Sequence, residues 1–268
     1  MLPVTPPEHP RTIRPIVVIP ARYESTRFPG KPLARIAGRP MIEHVYRRAQ
    51  AARGVARVLV ATDDERIAQA VAAFGGDAVM TARTHLTGTD RLAEVAPALD
   101  CDVIVNVQGD EPLIAPAMIE QVIAPFQTDD ALQMASLRTA ITSRDDLTDP
   151  NVVKVVVDRD DFALYFSRAP IPCDRDGRAT GSGVAGAWRH IGLYAYRRTF
   201  LPRFAALPPT PLERLEHLEQ LRALEHGIRI RVPATTYEAV GVDTPADLAR
   251  VEALLAAGAL ASHQPSTG

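Results

Sequence analysis

Residues 15–31 read PIVVIPARYESTRFPGK, and this stretch carries the strongest indication of the fold. Residues 16–19 form a run of β-branched apolar side chains, which is typical of a strand buried on both faces. A polar segment follows at once, and its Pro29 and Gly30 favour a turn. We therefore predict a buried strand whose carboxyl end opens into a loop.

Outward from this stretch, the first half of the chain alternates apolar runs with helical patterns. We predict strands over residues 16–19, 58–61, 78–80 and 103–107. We predict helices over residues 41–49, 64–75 and 90–99. Continuous apolar strands that alternate with helices indicate a parallel sheet with helices on both faces. The first half is thus predicted to be a Rossmann-like, doubly wound α/β unit.

The second half has a different pattern, which predicts a smaller mixed β subregion. We predict a helix with one apolar face over residues 212–225 and strands over residues 132–137, 152–157, 163–167 and 190–196. Residues 170–187 are rich in Pro, Gly and charge, so we expect a mobile loop there. Thr244 and Pro245 are a typical N-cap and first residue for the last helix.

The chain has 268 residues, of which 46% are apolar, and this is enough for a full hydrophobic core. No linker is recognisable, so we expect one domain over residues 15–257, with flexible segments at 1–14 and 258–268. Cys101 and Cys173 are too few for a secreted disulfide framework and are interpreted as free thiols. The net charge of -2 argues against nucleic-acid and anionic-membrane partners. With no recognisable signal peptide or membrane span, we expect a cytoplasmic protein.

The loop after the first strand carries the cations Arg22, Arg27 and Lys31 and the hydroxyls of Ser25 and Thr26. Loops at the carboxyl ends of parallel strands are where open α/β sheets bind ligands. Cations with directional donors suit phosphate groups, although a solvated basic loop has the same composition. The segment matches neither GxxxxGK[ST] nor GxGxxG, which argues against a P-loop NTPase and against an NAD enzyme.

Lysine is rare in this chain. Lys31 and Lys154 are the only two lysines among 30 lysine and arginine residues. A need for a compact, mobile ammonium at both places is one explanation, and chance is the other.

Two aspartates are candidates for a metal site. Asp110 follows the strand at residues 103–107, so it is expected at the same sheet edge as the first loop. Glu111 adjoins it, but Pro112 restricts Glu111 to an extended backbone and is expected to direct it elsewhere. Asp243 lies in the turn of GVDTP, where a turn or cap residue is the simpler explanation. Mg²⁺ prefers a few carboxylates with phosphate oxygens and water, so two aspartates meeting at a nucleotide would suffice.

The run IPARYESTRFPGKPL resembles the nucleotide-binding signature of the 3-deoxy-manno-octulosonate (Kdo) cytidylyltransferases, a family of the sugar nucleotidyltransferases. Sialic acid cytidylyltransferases have a related loop that usually lacks the STRxPGKPL ending. The resemblance continues along nearly the whole chain, for example in VATDDERIAQAV, GTDRLAEV, VIVNVQGDEPLI, HIGLYAYRR and GVDTPADLARV. It departs from the family at Thr87, where Ser is common, and in the segment TTYEAVGVDT.

The resemblance implies the nucleotide-diphospho-sugar transferase fold. It also implies a reaction of CTP with Kdo that gives CMP-Kdo and pyrophosphate, with CMP-Kdo used in lipopolysaccharide biosynthesis. It implies Mg²⁺ bound by Asp110 and Asp243, and catalytic roles for Arg22, Arg27, Lys31 and Asp110. It also implies a homodimer formed through the second-half strands and the loop at residues 170–187. Direct in-line transfer needs no nucleophilic side chain, and no Ser–His–Asp or Cys–His arrangement is recognisable.

The nucleotide site implied by the resemblance comprises Ala21, Arg22, Ser25, Thr26, Arg27, Lys31, Thr87, Gly88, Thr89, Arg91 and Gln108. The implied sugar site comprises Gln108, Arg168, His190, Tyr194, Glu219 and Gln220. Arg168 is expected to bind the sugar carboxylate, because a guanidinium can form two parallel hydrogen bonds to it. Each residue also has a structural explanation: a helix cap for Thr87 or Thr89, a strand aromatic for Tyr194, and an exposed helix face for Glu219 and Gln220.

Three other functions stay open. The same chemistry on another acidic sugar, sialic acid or 8-amino-Kdo, would change the sugar pocket. A sugar-1-phosphate nucleotidyltransferase that uses another NTP usually begins with a Gly-rich loop, which this sequence lacks. A non-catalytic nucleotide-binding protein of the same fold would not be expected to keep both aspartates beside the full basic loop.

Overall fold

The computed structural model describes residues 11–24, 28–175, 186–238 and 240–256. Its strands are β1 (Pro15–Ala21), β2 (Arg35–Ile36), β3 (Arg39–Pro40), β4 (Arg57–Thr62), β5 (Ala78–Met80), β6 (Val103–Asn106), β7 (Met134–Ala140), β8 (Lys154–Val157), β9 (Ala163–Ser167), β10 (Trp188–Arg197) and β11 (Ile230–Arg231). Its helices are α1 (Met41–Gln50), α2 (Glu65–Ala73), α3 (Gly88–Val95), α4 (Pro116–Ile123), α5 (Arg144–Thr148), α6 (Leu201–Ala205), α7 (Pro211–Glu216), α8 (Gln220–Glu225) and α9 (Pro245–Ala256). Short 3-10 helices cover Lys31–Leu33, Ala96–Ala98 and Ala124–Gln127.

A nine-stranded sheet forms the centre of the protein, with the order β11-β7-β10-β6-β1-β4-β5. Strands β6, β1, β4 and β5 are parallel, whereas β10 is antiparallel to both β6 and β7. Strand β8 pairs with the start of β10, and β9 pairs with β8. The predicted parallel, doubly wound unit and the smaller mixed β subregion are both confirmed.

Strand β1 shows why the sheet is buried on both faces. Val17 and Ile19 pack into one core, to which α1, α2 and α4 also contribute. Ile16 and Val18 point the other way, into a core shared with α3, α6 and α8. Because successive strand residues face opposite sides, one apolar run serves both cores. Polar ligand-binding groups are thereby left to the ends of the strands.

The prediction of one helix over residues 212–225 is wrong. Helices α7 and α8 are separate, and His217 between them has a left-handed backbone with φ 52°. The Glu216 carboxylate accepts hydrogen bonds from the Ser167 hydroxyl at 2.6 Å and from the Arg168 N–H at 2.9 Å. We attribute the break to this tertiary contact, which apolar periodicity does not encode.

Other element boundaries differ less. The helix predicted over residues 90–99 ends at Val95 and continues as a 3-10 turn, since Pro97 lacks the N–H that an α-helix needs. Helix α4 was not predicted, although it begins with a proline and buries Met118, Ile119, Val122 and Ile123.

Both predicted terminal extensions lie largely outside the described residues. Residues 11–14, which were assigned to the flexible N-terminal segment, contact the domain through Arg14, whose N–H donates to the Asp102 carboxylate at 2.7 Å. Most of the predicted mobile loop, residues 176–185, is likewise outside the described part. Within the described ranges, no helix is long and apolar enough to cross a membrane.

Candidate active site

The carboxyl ends of β1 and β6 lie side by side, because these strands pair in parallel with Val18 opposite Asn106. The loops after them, with the start of α3 and the turn before α9, line a pocket of about 260 Å³. The predicted residues in this lining are Ala21, Arg22, Lys31, Thr87, Gly88, Arg91, Gln108, Asp110 and Asp243. The structure therefore brings most of the predicted nucleotide site together with both predicted metal ligands.

Lys31 connects the parts of this pocket. Its Nζ lies 2.6 Å from Asp110 Oδ2 and 3.4 Å from Asp243 Oδ1, and it donates to the Val242 carbonyl at 2.9 Å. The preceding Gly30 has a left-handed backbone with φ 71°, which begins the 3-10 turn that carries Lys31. One ammonium thus joins the first loop to a carboxylate 212 positions away in the sequence.

The turn before α9 holds Asp243 in place. The Val242 N–H donates to the Asp110 carbonyl at 2.9 Å, which ties this turn to the loop after β6. The Thr244 hydroxyl accepts from the Asp247 N–H at 3.3 Å, so the predicted N-cap is confirmed. Hydrogen bonds from the Thr244 hydroxyl and the N–H groups of Asp243 and Thr244 lower the pKa of Asp247. The backbone of Asp243 therefore serves the helix cap while its carboxylate faces Lys31.

The start of α3 forms another wall of the pocket. Thr87 caps this helix, and its hydroxyl accepts a hydrogen bond from the Asp90 N–H at 3.1 Å. The helix cap that the sequence offered as a structural explanation for Thr87 is therefore present. Gly88 packs closely on Pro20: an added Cβ would lie 3.1 Å from Pro20 Cγ. This close approach lets the backbone of α3 border the pocket directly.

The next two predicted residues on α3 are buried and engaged with the protein. Arg91 donates to the Thr81 hydroxyl and, at 2.9 Å, to the Asp63 carboxylate. The Thr89 hydroxyl donates to Glu219 Oε2 at 2.5 Å and so points toward the predicted sugar site. The nucleotide roles of Arg91 and Thr89 stay predictions.

Arg22 and Gln108 are two further members of the predicted nucleotide site. Arg22 lines the pocket, and in the described part of the chain its guanidinium makes neither an ion pair nor a hydrogen bond. Gln108 also lines it and donates to Asn106 Oδ1 at 3.3 Å. Ser25, Thr26 and Arg27 lie outside the described residues.

Three of the predicted sugar residues form a polar cluster inside the protein. His190 Nε2 lies 2.8 Å from the Ser136 hydroxyl oxygen, and burial lowers the pKa of His190 to about 3. The rings of His190 and Tyr194 are 5.4 Å apart between centroids. Burial, and then the nearby Glu219, raises the pKa of Tyr194. His190 is therefore a neutral imidazole, and Tyr194 keeps its proton.

Glu219 and Gln220 do not form the exposed helix face that was the alternative explanation. Gln220 is buried, and Oε1 of Glu219 is buried without a hydrogen-bond partner among the described residues. Burial raises the pKa of the Glu219 carboxyl, while the hydrogen bond from Thr89 opposes this shift.

Arg168 is engaged elsewhere. Its guanidinium donates to the carbonyls of Glu216 at 2.7 Å, Pro150 at 2.8 Å and His217 at 3.5 Å. These contacts stabilise the break between α7 and α8. The predicted role of Arg168 toward a sugar carboxylate stays untested.

Comparison with known proteins places this site in a family. A family model described as Cytidylyltransferase matches residues 16–230. A 3-deoxy-manno-octulosonate cytidylyltransferase from Geobacter metallireducens is 58% identical over 240 residues, which cover 87% of this chain and 94% of the relative. One from Syntrophotalea carbinolica is 59% identical over 242 residues, covering 89% and 97%. The chain belongs to the 3-deoxy-manno-octulosonate cytidylyltransferase family.

Solved structures agree with this membership. A CMP:2-keto-3-deoxy-manno-octonic acid synthetase in complex with CTP matches with a TM-score of 0.86 and 48% identity, covering 91% of this chain and 99% of that one. A 4-diphosphocytidyl-2C-methyl-D-erythritol synthase from Anaerococcus prevotii, with a TM-score of 0.58 and 13% identity, shares the fold alone. The family resemblance drawn from IPARYESTRFPGKPL is thus confirmed.

His85 and Glu111 lie in or beside the candidate site but were not among the predicted site residues. His85 lines the pocket and bonds to Glu94, and this hydrogen bond lowers the pKa of the Glu94 carboxyl. Glu111 avoids the first pocket, as expected, but it lines a neighbouring cavity with Asp110. Burial, and then the charge of Asp110, raises the pKa of Glu111 to about 7. The available signal for Glu111 was its position in the QGDEP segment beside Asp110.

Proposed function

We propose that the protein is a cytidylyltransferase that couples CTP to Kdo and releases CMP-Kdo and pyrophosphate. The observation that carries the proposal is the meeting of Lys31, Asp110 and Asp243 in the pocket at the ends of β1 and β6. The relatives at 58% and 59% identity bear the name of this reaction. The product would supply Kdo for lipopolysaccharide biosynthesis.

The chemistry is a direct in-line displacement. The anomeric oxygen of Kdo forms a bond to the α-phosphorus of CTP while the bond between the α-phosphorus and the bridging oxygen breaks. Pyrophosphate leaves with that electron pair, and the hydroxyl proton passes to solvent. Arg22 and Lys31 neutralise the phosphates, which is the main contribution a protein makes to this class of reaction.

Asp110 and Asp243 are proposed to bind Mg²⁺. Both carboxylates already converge on one positive centre, Lys31 Nζ, at 2.6 and 3.4 Å. The described residues contain no metal-binding group of three or more His, Cys, Asp and Glu side chains, so phosphate oxygens and water would supply the other ligands. The ion would withdraw negative charge from the α-phosphate. Lys31 would then exchange its carboxylate partners for the departing phosphates.

The metal proposal has a test that does not depend on turnover. Binding of Mn²⁺ in the presence of CTP is measured by electron paramagnetic resonance for the wild type, Asp110→Asn and Asp243→Asn. We expect both variants to bind Mn²⁺ at least about tenfold more weakly, whereas Asp130→Asn, which removes an exposed carboxylate paired with Arg11, leaves binding unchanged. Wild-type affinity in either cleft variant would exclude that residue as a ligand.

We also propose a homodimer in the cytoplasm. Leu164 on β9 and Leu215 on α7 are 62% and 78% exposed, and the Tyr165 hydroxyl donates to Glu216 at 3.4 Å between these two elements. Each of these large apolar side chains would be removed from water if it lay in an interface between two copies of the chain. Light scattering should give twice the chain mass, and one chain mass for the double variant Leu164→Asp, Leu215→Asp. A monomeric wild type would contradict the proposal.

The function is tested by pyrophosphate release from CTP and Mg²⁺ with Kdo, with sialic acid, or with no sugar. We expect pyrophosphate release when Kdo is present, and none with sialic acid or without a sugar. Release with sialic acid instead would keep the chemistry and change the sugar. No release with any acidic sugar, despite CTP binding, would support a non-catalytic nucleotide-binding protein.

A further inference from the structure

The loop after β1 lies beside the start of helix α2. Strands β1 and β4 pair in parallel with Ala21 opposite Thr62, so the loops after the two strands leave the same edge of the sheet side by side. Asp64 in the second of these loops is the N-cap of α2, and its carboxylate accepts from the Arg66 N–H at 3.0 Å. The first turn of α2 is therefore placed next to the loop that lines the nucleotide pocket.

The guanidinium of Arg66, in that first turn, is fixed in orientation by the same aspartate. Its Nε donates to Asp64 Oδ1 at 2.9 Å, and its Nη2 donates to Asp64 Oδ2 at 2.6 Å. Two hydrogen bonds from a planar guanidinium to one carboxylate fix the plane of the guanidinium. The Arg66 side chain is 58% exposed, so this ion pair adds little stability by itself. Its consequence is the orientation of the guanidinium relative to a neighbouring ring.

That ring belongs to Tyr23 in the loop after β1. The Arg66 Cζ lies 3.3 Å from the centroid of the Tyr23 ring. A guanidinium at this distance from an aromatic face is attracted to it by a cation–π interaction. Tyr23 is also half-buried and packs against the core that contains Val17 and Ile19. The ring is therefore in contact with both the core and Arg66.

Tyr23 in turn contacts the segment that carries the phosphate-binding cations. Its carbonyl accepts from the Gly30 N–H at 2.9 Å, and a Cβ added to Gly30 would lie 3.1 Å from the Tyr23 ring. Gly30 immediately precedes Lys31, whose Nζ lies in the pocket beside Asp110. Arg22, which also lines the pocket, immediately precedes Tyr23. Each of the two cations proposed to bind phosphate thus adjoins a residue of this contact.

We propose that Arg66 is a positioning residue for the phosphate-binding loop: its cation–π contact holds the Tyr23 ring, and the ring holds the turn that carries Lys31. Arg66 is not among the described residues that line the nucleotide pocket, so it acts through Tyr23 and not on the substrate. This role rests on the proposed function and deepens it, because it adds a residue on α2 to the machinery that binds the phosphates.

The physical reason is preorganisation. Cations that already stand where the phosphates bind need no rearrangement when the ligand arrives. A loop that samples several positions binds the ligand only from the competent one, so its apparent affinity falls with the population of that position. Removal of the Arg66 guanidinium frees one side of the Tyr23 ring and lowers that population.

The first measurement compares Arg66→Gln with Arg57→Gln as the matched control. Arg57 is 53% exposed and donates to Asp77 at 2.8 Å, but in the described part of the chain it contacts no aromatic ring. Initial rates of pyrophosphate release are measured against CTP and against Kdo. We expect Arg66→Gln to raise the KM for CTP about 3- to 10-fold and to leave the KM for Kdo within about twofold, as loss of one cation–π contact predicts. Arg57→Gln should match the wild type.

Inhibition by pyrophosphate tests the phosphate cations without base or sugar. Its inhibition constant should rise in Arg66→Gln by the same factor as the KM for CTP, because both ligands depend on the same loop. A loss of stability alone would reduce the amount of active enzyme and leave both constants unchanged. Arg66→Lys keeps a cation beside the ring but not the planar fork, so it should recover part of the loss.

A double-mutant cycle tests the route through Tyr23. Tyr23→Leu removes the ring and should raise the KM for CTP at least as much as Arg66→Gln does. The addition of Arg66→Gln to Tyr23→Leu should then change the KM for CTP by less than about twofold, because the two side chains form one contact.

The outcomes separate this inference from the proposed function. An unchanged KM for CTP in Arg66→Gln, or losses that simply add in the double variant, would overturn the positioning role and leave the cytidylyltransferase reaction in place. An equal effect of Arg57→Gln would indicate a general effect of surface charge and would also overturn it. A wild-type protein that releases no pyrophosphate from CTP and Kdo would overturn the proposed function and the positioning role together.

Discussion

The two lysines of the chain lie in opposite surroundings. Lys31 faces a pocket, with carboxylate partners on two separate loops. Lys154 is fully buried at the start of β8 and donates to the carbonyls of Asp149, Val152 and Arg168 at 2.9, 2.6 and 2.5 Å. Burial lowers the pKa of Lys154.

The two ammonium groups differ in whether they can exchange their hydrogen-bond partners for a ligand. A carboxylate beside an open pocket can give up its cation to an incoming phosphate, and the cation then follows the ligand. Backbone carbonyls inside a fold have no such alternative, so their donor is part of the structure. The same residue type is therefore proposed to bind a ligand in one region, whereas it stabilises the fold in the other.

The largest expected effect tests the first half of this comparison. Lys31→Met should lower kcat for pyrophosphate release by about 10²- to 10³-fold, because a preorganised charge at the phosphates is lost. Its partners are partly exposed, so the free energy of unfolding should change by less than about 1 kcal/mol. Steady-state kinetics and urea unfolding of the same preparation measure both. A kcat near the wild-type value would remove Lys31 from the reaction.

The sequence was informative where neighbours in space are set by a simple rule. Parallel strands place their carboxyl ends at one edge of the sheet, so the nearness of Lys31 and Asp110 could be predicted from the apolar runs before them. Asp243 could not be placed in this way, because it approaches from a turn 212 positions away from Lys31. Only the family resemblance singled it out.

The second half was harder to predict for a related reason. Strand β10 is antiparallel between β6 and β7, and its register shifts between Ile191 and Ala195. No local pattern in the sequence encodes that irregularity. Arg168 donates to three backbone carbonyls, whereas Arg189 is exposed, but the two arginines look alike in the sequence. Their difference comes from tertiary partners.

The second expected effect tests the other half of the comparison. Lys154→Met keeps much of the apolar stem but removes the donor to three carbonyls, so the free energy of unfolding should fall by about 3 kcal/mol. Urea unfolding with a two-state analysis measures it. The KM for CTP should stay within about twofold, since Lys154 does not line the nucleotide pocket. The identical substitution at Lys31 is the matched control, and equal stability losses in both variants would contradict the distinction.

His190 extends the comparison to pH, because its side chain is buried. Its backbone N–H donates to the Val153 carbonyl at 2.8 Å, just before β8. Its pKa is lowered to about 3 by burial, whereas an unfolded histidine titrates near pH 6.5. Below pH 6.5 the unfolded chain therefore binds a proton at His190 that the folded chain does not bind. The free energy of unfolding decreases as the pH falls. Between pH 7 and pH 5 this should remove about 2 kcal/mol from the free energy of unfolding.

The variant His190→Gln isolates this contribution. Its stability difference from the wild type should shrink by about 2 kcal/mol between pH 7 and pH 5, since the variant lacks the titrating group. Urea unfolding curves at several pH values give the difference in the free energy of unfolding between wild type and variant. The contributions of the other ionisable groups are common to both proteins and cancel in this difference. A difference that stays constant with pH would mean that the pKa of His190 is the same in the folded and the unfolded chain, and it would contradict the lowered pKa.

The smallest expected effect concerns the turn that carries Lys31. Gly30 has φ +71°, and an added Cβ would lie 3.1 Å from the Tyr23 ring, whereas Gly54 has φ +78° and nothing within 4 Å of an added Cβ. Gly30→Ala and Gly54→Ala should each lower the free energy of unfolding by about 1 kcal/mol, because both impose the same left-handed backbone on alanine. Only Gly30→Ala should also raise the KM for CTP, since the crowded Tyr23 ring must shift the turn and with it the Lys31 ammonium. Equal kinetics in the two variants would show that Lys31 keeps its position independently of the turn, and the contrast with the rigidly held Lys154 would then be smaller than the structure indicates.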